Sequence, residues 1–358
     1  MKSITHGRDH GRVGLVMAGA LVLLALAVSG ALWLHHDYQR FVHAPLGVDG
    51  PDQVIEIARG TSFRGVVATL KAQHLDAGAP EVYWRALAWE HKAQVQAGEY
   101  SIAPGLTPLE LLSKLRRGEV IQYRFTIVEG WSLHELRLAL ARDPVLVQTL
   151  GGVADDALLA HLGIKAEVEG APELREPEGL FLPETWQFTR GTSDADVLKR
   201  AYRALVNTLD EAWRDRAKDL PLANPWEALT LASIVEKETG LASERPQVAG
   251  VFLRRLRLGM RLQTDPTVLY GLGPNFSGRL TRAHLEADTP HNTYTRDGLP
   301  PTPIALAGRD SIRAALHPDA GDALYFVARG DGPGHVFSRN LSEHNRAVAD
   351  YRRKVQQP

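Results

Sequence analysis

From Val13 to Leu34 the chain runs for 22 positions without a charge, nearly all of them apolar. A helix of that length reaches about 33 Å, enough to cross a hydrocarbon core of about 30 Å. Mixed and polar residues follow from His35 to Pro51, with Pro45, Gly47, Gly50 and Pro51 among them, and they predict a stalk. Val54-Ile55-Glu56-Ile57 then reads as a short strand. Gly60-Thr61-Ser62 opens a helix whose apolar positions Phe63, Val66, Val67 and Leu70 recur at helical spacing. A second helix fits Pro80 to His91, and Ala97 to Ile102 is extended. Thr107-Pro108-Leu109-Glu110 is a capping box with Pro at the first helical position, and Gly118 closes that helix. Ile121, Tyr123, Phe125 and Ile127 alternate with polar neighbours, which predicts a strand over Val120 to Val128. Ser132-Leu133-His134-Glu135 is a further capping box. Residues 144–177 carry no clear period.

Charge decides which way the apolar segment points. Lys2, Arg8 and Arg12 precede it, while His35, His36 and Asp37 follow it, so residues 1–12 are expected as a cytoplasmic tail and the remaining bulk outside. The small residues Val28 to Ala31 would also suit a cleaved signal peptide, but such an apolar region spans only about 7–15 residues. Over the whole chain 41 basic residues face 42 acidic ones, so no global field points to nucleic acid. The chain has no cysteine, which excludes a thiol nucleophile, a Cys-ligated metal and a disulfide framework. Phosphate-loop, dinucleotide, nucleophile-elbow and zinc-protease motifs are absent, and no metal site or cofactor is expected.

One helix stands out for its chemistry. Asn224 can cap it, Pro225 takes the first helical position, and Gly240 is expected to end it in a left-handed conformation. Leu229, Ala232, Ser233 and Glu236 share one face, and Leu231, Ile234, Val235 and Glu238 another. With both faces largely apolar, the helix should be deeply embedded. A carboxylate in its last turn then meets burial and the negative end of the helix dipole, both of which favour the neutral acid. That is what a glycosidic general acid requires. The bland alternative is a solvated helix end, and geometry does not choose between Glu236 and Glu238, which lie about 200° apart around the axis. Downstream, Arg261 to Val268, His291 to Thr295 and Gly298 to Ile304 are dense in amide, hydroxyl, carboxylate and aromatic groups of the kind that bind sugars. Three prolines within four residues, Pro300 to Pro303, make the last stretch a rigid loop.

Leu231-Ala232-Ser233-Ile234-Val235-Glu236-Lys237-Glu238-Thr239 resembles the YceG-like family of membrane-anchored endolytic murein transglycosylases. The resemblance extends to Glu178–Thr185, Arg254–Thr267, Asn292–Tyr294, Gly298–Pro301, Tyr325–Ala328, His335–Phe337 and Glu343–Asn345. It implies an α+β fold: a small LysM-like module over residues 52–118, which would bind N-acetylglucosamine polymers, and a catalytic domain over 119–358. It also implies cleavage of the β-1,4 bond between N-acetylmuramic acid and N-acetylglucosamine in peptidoglycan. The family's glutamate is carried onto Glu236, which would protonate the glycosidic oxygen. The same group would then take the proton of the muramic C6 hydroxyl as it closes on C1 to form a 1,6-anhydro end. One carboxylate suffices because the substrate brings its own nucleophile. Gln263, Asp265, Asn292 and Tyr294 are the candidates for orienting the sugar. Partners implied are peptidoglycan glycan strands, the cytoplasmic membrane and peptidoglycan synthases, with no nucleic acid. A non-catalytic glycan-binding scaffold and a peptidoglycan hydrolase, for which Asp265 would be a second carboxylate, are the competing readings.

Overall fold

The computed structural model describes residues 9–48, 50–165, 167–172 and 177–356. Most of the expected cytoplasmic tail, including Lys2 and Arg8, lies outside them. The chain divides into two units, Met1–Gln122 and Tyr123–Pro358.

The first unit begins with α1 (Asp9–His43), a single helix long and apolar enough to cross a membrane. It does not stop at Leu34. No proline or glycine interrupts 34–43, and Phe41 and Val42 find buried places, so the helix carries two more turns into the expected stalk. Pro45 forces the end, because the residue before a proline avoids helical geometry. Leu46 is then buried and its N–H donates to the Leu106 carbonyl at 2.7 Å, so this stretch is part of the unit's core instead of a free tether.

Strands β1 (Gln53–Ile57) and β2 (Gly98–Ile102) pair antiparallel, with Ile55 opposite Tyr100. Ile55 and Ile57 point into the core while Val54 and Glu56 face out, in the strand the sequence predicts there. Between them lie α2 (Phe63–Ala72), capped by Ser62, and α3 (Glu81–Glu90). After β2 comes α4 (Pro108–Arg117), whose Thr107–Glu110 capping box forms as expected. Gly118 ends it at φ 66°, where a side chain would strain the backbone.

In the second unit β3 (Tyr123–Thr126) pairs antiparallel with β4 (Thr185–Phe188). The strand is shorter than expected because Ile121 instead donates to the Glu99 carbonyl. Helix α5 (Leu133–Arg142) starts at the Ser132–Glu135 box. The unreadable stretch holds the short α6 (Asp155–His161). Next comes α7 (Asp194–Arg214), capped by Ser193. Helix α8 (Pro225–Glu238) is the central element, packed by α7, α9 (Arg245–Arg257), α10 (Asp265–Gly271) and α12 (Arg309–Leu316). Apart from Glu227 every residue from Pro225 to Val235 is buried, which matches the two apolar faces in its sequence. Helix α11 (Arg282–Glu286) lies between α10 and α12. The strands β5 (Tyr325–Ala328) and β6 (His335–Ser338) form an antiparallel pair on which α13 (Leu341–Val355) packs.

Two expectations fail here. Gly240 does not end α8, because Thr239 is already extended and its hydroxyl accepts the Leu241 N–H at 3.1 Å. The proline-rich stretch is no open ligand loop either. Thr302 to Ala307 are buried alongside α8, the Ser233 hydroxyl accepts the Ile304 N–H at 3.0 Å, and the Trp226 indole donates to the Pro301 carbonyl.

Glu178 sits 5 % exposed and accepts the N–H groups of Leu133 and Gly179. Burial pushes its carboxyl up from 4.5 to about 7, although those N–H groups pull the other way. A folded value above the unfolded one gives a contribution fully present below about pH 4.5 and lost as pH rises through 7, on the order of 3 kcal/mol. Glu178→Gln, neutral throughout, should flatten that part of a denaturant-derived stability profile. An unchanged slope would mean that the carboxyl titrates normally.

Candidate functional site

The last turn of α8 sends its two glutamates in different directions, as their angular separation requires. Glu236 enters an ion cluster. Its side chain is 5 % exposed; Oε1 accepts from Arg245 Nη2 at 3.0 Å and Oε2 accepts the Gly308 N–H at 2.9 Å. The same guanidinium reaches Glu129 at 3.2 Å and Asp310 at 3.4 Å. Lys237 donates to the Gly130 carbonyl. Gly308 lets Glu129 approach closely, since a Cβ there would lie 2.0 Å from a Glu129 oxygen and push that side chain aside. This cluster joins α8, α9, α12 and the 129–131 loop, and both Glu236 oxygens are occupied by it.

Glu238 has other surroundings. Its Oε1 accepts the hydroxyl of Thr264, at the N-terminus of α10. The residue keeps some exposure, yet burial of the carboxyl raises its pKa; the charge of Asp265 adds to this, and Thr264 and His335 oppose it. Asp265 accepts the Tyr294 phenol at 2.6 Å. Burial, then that carboxylate and then Glu238, pushes the phenol's pKa up, so it stays a neutral donor. His335 is fixed by Glu244, which takes its Nδ1 at 2.8 Å and its N–H at 2.9 Å. Burial alone would raise the Glu244 carboxyl, but these bonds bring it below the usual range.

The frame under this group is made of small polar residues and one arginine. Thr293 Oγ1 accepts the Thr264 N–H at 3.1 Å and lies 2.9 Å from Thr267 Oγ1. The Gln263 N–H donates to the Thr293 carbonyl, and Gln263 holds φ 51° with its side chain exposed. A left-handed glutamine costs backbone energy, and such outliers concentrate at functional sites. Arg255 spans the underside: Nη1 donates to the carbonyls of Arg261 and Leu262, and Nε to that of Leu324.

The structure therefore gathers Gln263, Asp265 and Tyr294 around Glu238, and puts Glu236 elsewhere. Asn292, expected to contact sugar, is fully buried. Its amide donates to the Leu285 and Ala287 carbonyls, and its oxygen accepts the Tyr294 N–H at 2.8 Å. With its hydrogen-bonding groups spent inside the loop, it positions Tyr294 instead. Sequence reasoning passed over Thr264, His335 and Arg245. The first two lie inside stretches that carry the family resemblance, but nothing in their spacing singles them out.

The YceG-like family model matches residues 55–350. The chain belongs to the YceG-like family. Its two candidate glutamates, the Gln263–Asp265 turn and Tyr294 all fall within the matched region. The chain is 30% identical to an endolytic murein transglycosylase of Bacillus subtilis (strain 168), covering 88% of this chain and 89% of that protein. It is 26% identical to one of Streptococcus pneumoniae (strain D39), covering 92% of this chain but 64% of that longer relative. A crystal structure of a yceG-like protein from Listeria monocytogenes superposes with a TM-score of 0.52 at 29% identity, covering 83% of this chain and 99% of that one.

Proposed function

We propose that this YceG-like chain is an endolytic murein transglycosylase, anchored by α1 with its bulk outside the cytoplasm, and that Glu238 is its acid–base group. The observation that carries the reading is the carboxyl of Glu238, biased toward its protonated form, beside the exposed Gln263 and Asp265. The names of the relatives supply the substrate class. Glu236 is replaced in this role because its two oxygens are bound to Arg245 and Gly308.

Protonated Glu238 donates to the glycosidic oxygen as the bond from muramic C1 breaks. Tyr294 holds Asp265 beside the positive charge that develops at C1. The C6 hydroxyl then attacks C1 and gives its proton to the Glu238 carboxylate, which restores the acid. No water enters the product, so the new end is 1,6-anhydro. The finer division into a LysM-like glycan-binding module over 52–118 and a catalytic part over 119–358 belongs to the same proposal.

Mass spectrometry of peptidoglycan digested by the full chain tests it. Anhydro ends are expected. Reducing ends would make the protein a hydrolase with Asp265 as the second carboxylate, and no new ends would leave a binding scaffold.

Thr264 gives a sharper handle. Its hydroxyl lowers the Glu238 pKa, so Thr264→Val should raise it further and move the alkaline limb of the kcat profile to higher pH. Thr264→Ser should restore the limb. A limb that stays in place in an active Thr264→Val protein would reduce Thr264 to a packing role.

A further inference from the structure

Trp89 is 85 % exposed, at the C-terminal end of α3. A single exposed aromatic is ordinary by itself, and its place relative to α1 is what gives it weight. The contacts of α1 say where it lies. Phe41 meets Trp84 at 5.1 Å and Tyr83 at 5.7 Å between ring centres. Tyr38, one turn nearer the apolar span, packs on Tyr83 at 5.6 Å and donates to Glu90 at 2.9 Å. Asp37, nearer still to the span, accepts the Tyr83 phenol at 2.8 Å, so α3 lies against α1 at the level of residues 37–41, with its C-terminal Glu90 on Tyr38. Tyr38 is four residues beyond Leu34, about 6 Å along the helix. The headgroup layer on each side of the hydrocarbon is also about 5–7 Å deep. Because α1 is unbroken through this interval, the height is fixed.

Charge fits the same surface. Arg85, one turn before Trp89, and Lys92, three residues after it, are exposed, and their side chains have no hydrogen-bond or ion-pair partner among the described residues. Glu81 is engaged by Arg64 at 3.2 Å, and Glu90 accepts from Tyr38. An indole flanked by free cations is the composition of an interfacial membrane contact.

We infer that the C-terminal end of α3 rests on the bilayer from which α1 emerges, with Trp89 among the phospholipid headgroups and Arg85 and Lys92 on their phosphates. The inference rests on α1 spanning the membrane. It makes the first unit a platform seated on the lipid instead of a module on a tether. The neighbouring hollow of about 290 Å³, lined by Phe63, Arg64, Trp84, Arg85 and Trp89, is then closed from below by lipid.

The absence of cysteine makes the test direct. Trp89→Cys and Trp33→Cys, each carrying a fluorophore, are measured in the full chain in nanodiscs containing phosphatidylglycerol, with nitroxide lipids labelled at the headgroup or deep in the acyl chain. Headgroup nitroxide should quench the label at 89, and the label at 33 should also be quenched. Adding Arg85→Glu and Lys92→Glu should weaken the quenching at 89 by about fivefold or more. Quenching at 33 but none at 89 overturns the inference and leaves the anchor intact. No quenching at either position removes the anchor reading itself. A label at 89 that ignores lipid but responds to soluble N-acetylglucosamine oligomers overturns it in favour of a sugar site.

Discussion

Glu238→Gln is expected to leave a folded protein whose turnover on purified peptidoglycan falls by about a thousandfold or more, the range set by losing a positioned general acid. The amide keeps the shape of the side chain and can still accept the Thr264 hydroxyl, but it has no acid proton to give. Because burial raises the Glu238 pKa, the wild-type enzyme should hold its activity to higher pH than an exposed glutamic acid would allow. Activity should then fall as pH rises through that value and the acid is lost. Glu236→Gln is the decisive comparison. It should retain most of the turnover and lose stability instead, since it weakens the bond to Arg245. Chromatography with mass detection of the released muropeptides, alongside thermal melts of both variants, reads out the pair. Inactive Glu236→Gln with active Glu238→Gln would return the acid to Glu236.

Arg245→Ala is expected to cost about 3 kcal/mol, because it strands the Glu236 carboxylate at 5 % exposure with only the Gly308 N–H for company. For a unit of this size that is a fall in Tm of roughly 6–12 °C. Glu129 and Asp310, at 46 % and 70 % exposure, can turn to water and add little. Replacing both partners tests the physical reason. Arg245→Met with Glu236→Leu fills similar volume without charge and should recover most of the loss. If Glu238 is the acid, that double variant also remains active. A single variant that melts within 2 °C of wild type would mean water already solvates the cluster.

The local rules were legible wherever a few adjacent residues carry the instruction. The capping boxes at Thr107 and Ser132, the strand at Val54–Ile57 and the two apolar faces of α8 are all readable in sequence because caps and periodicity act over a turn or a strand. The proline-rich stretch shows the limit: its rigidity followed from sequence, its burial against α8 did not, since Ser233 and Trp226 come from far along the chain. The expected stalk failed for a similar reason. Whether 35–43 stays helical depends on Tyr83 and Trp84 waiting to receive Phe41.

The candidate site divides the same way. By itself the sequence determined that an embedded helix ends in two glutamates and that a polar segment with Gln263, Asp265 and Tyr294 lies downstream. Only the tertiary structure gives the two carboxylates different surroundings, and the proposal of Glu238 as the acid rests on that difference. Arg245 and Gly308 close on Glu236, while Thr264, Asp265 and Tyr294 collect around Glu238. The burial of Asn292 was not legible, because the carbonyls that take its amide are set by the path of its own loop. A carboxyl's proton affinity is a sum over everything within a few ångströms. Those neighbours are brought together by the fold from positions 26 to 97 residues away, a distance across which sequence spacing carries no angle.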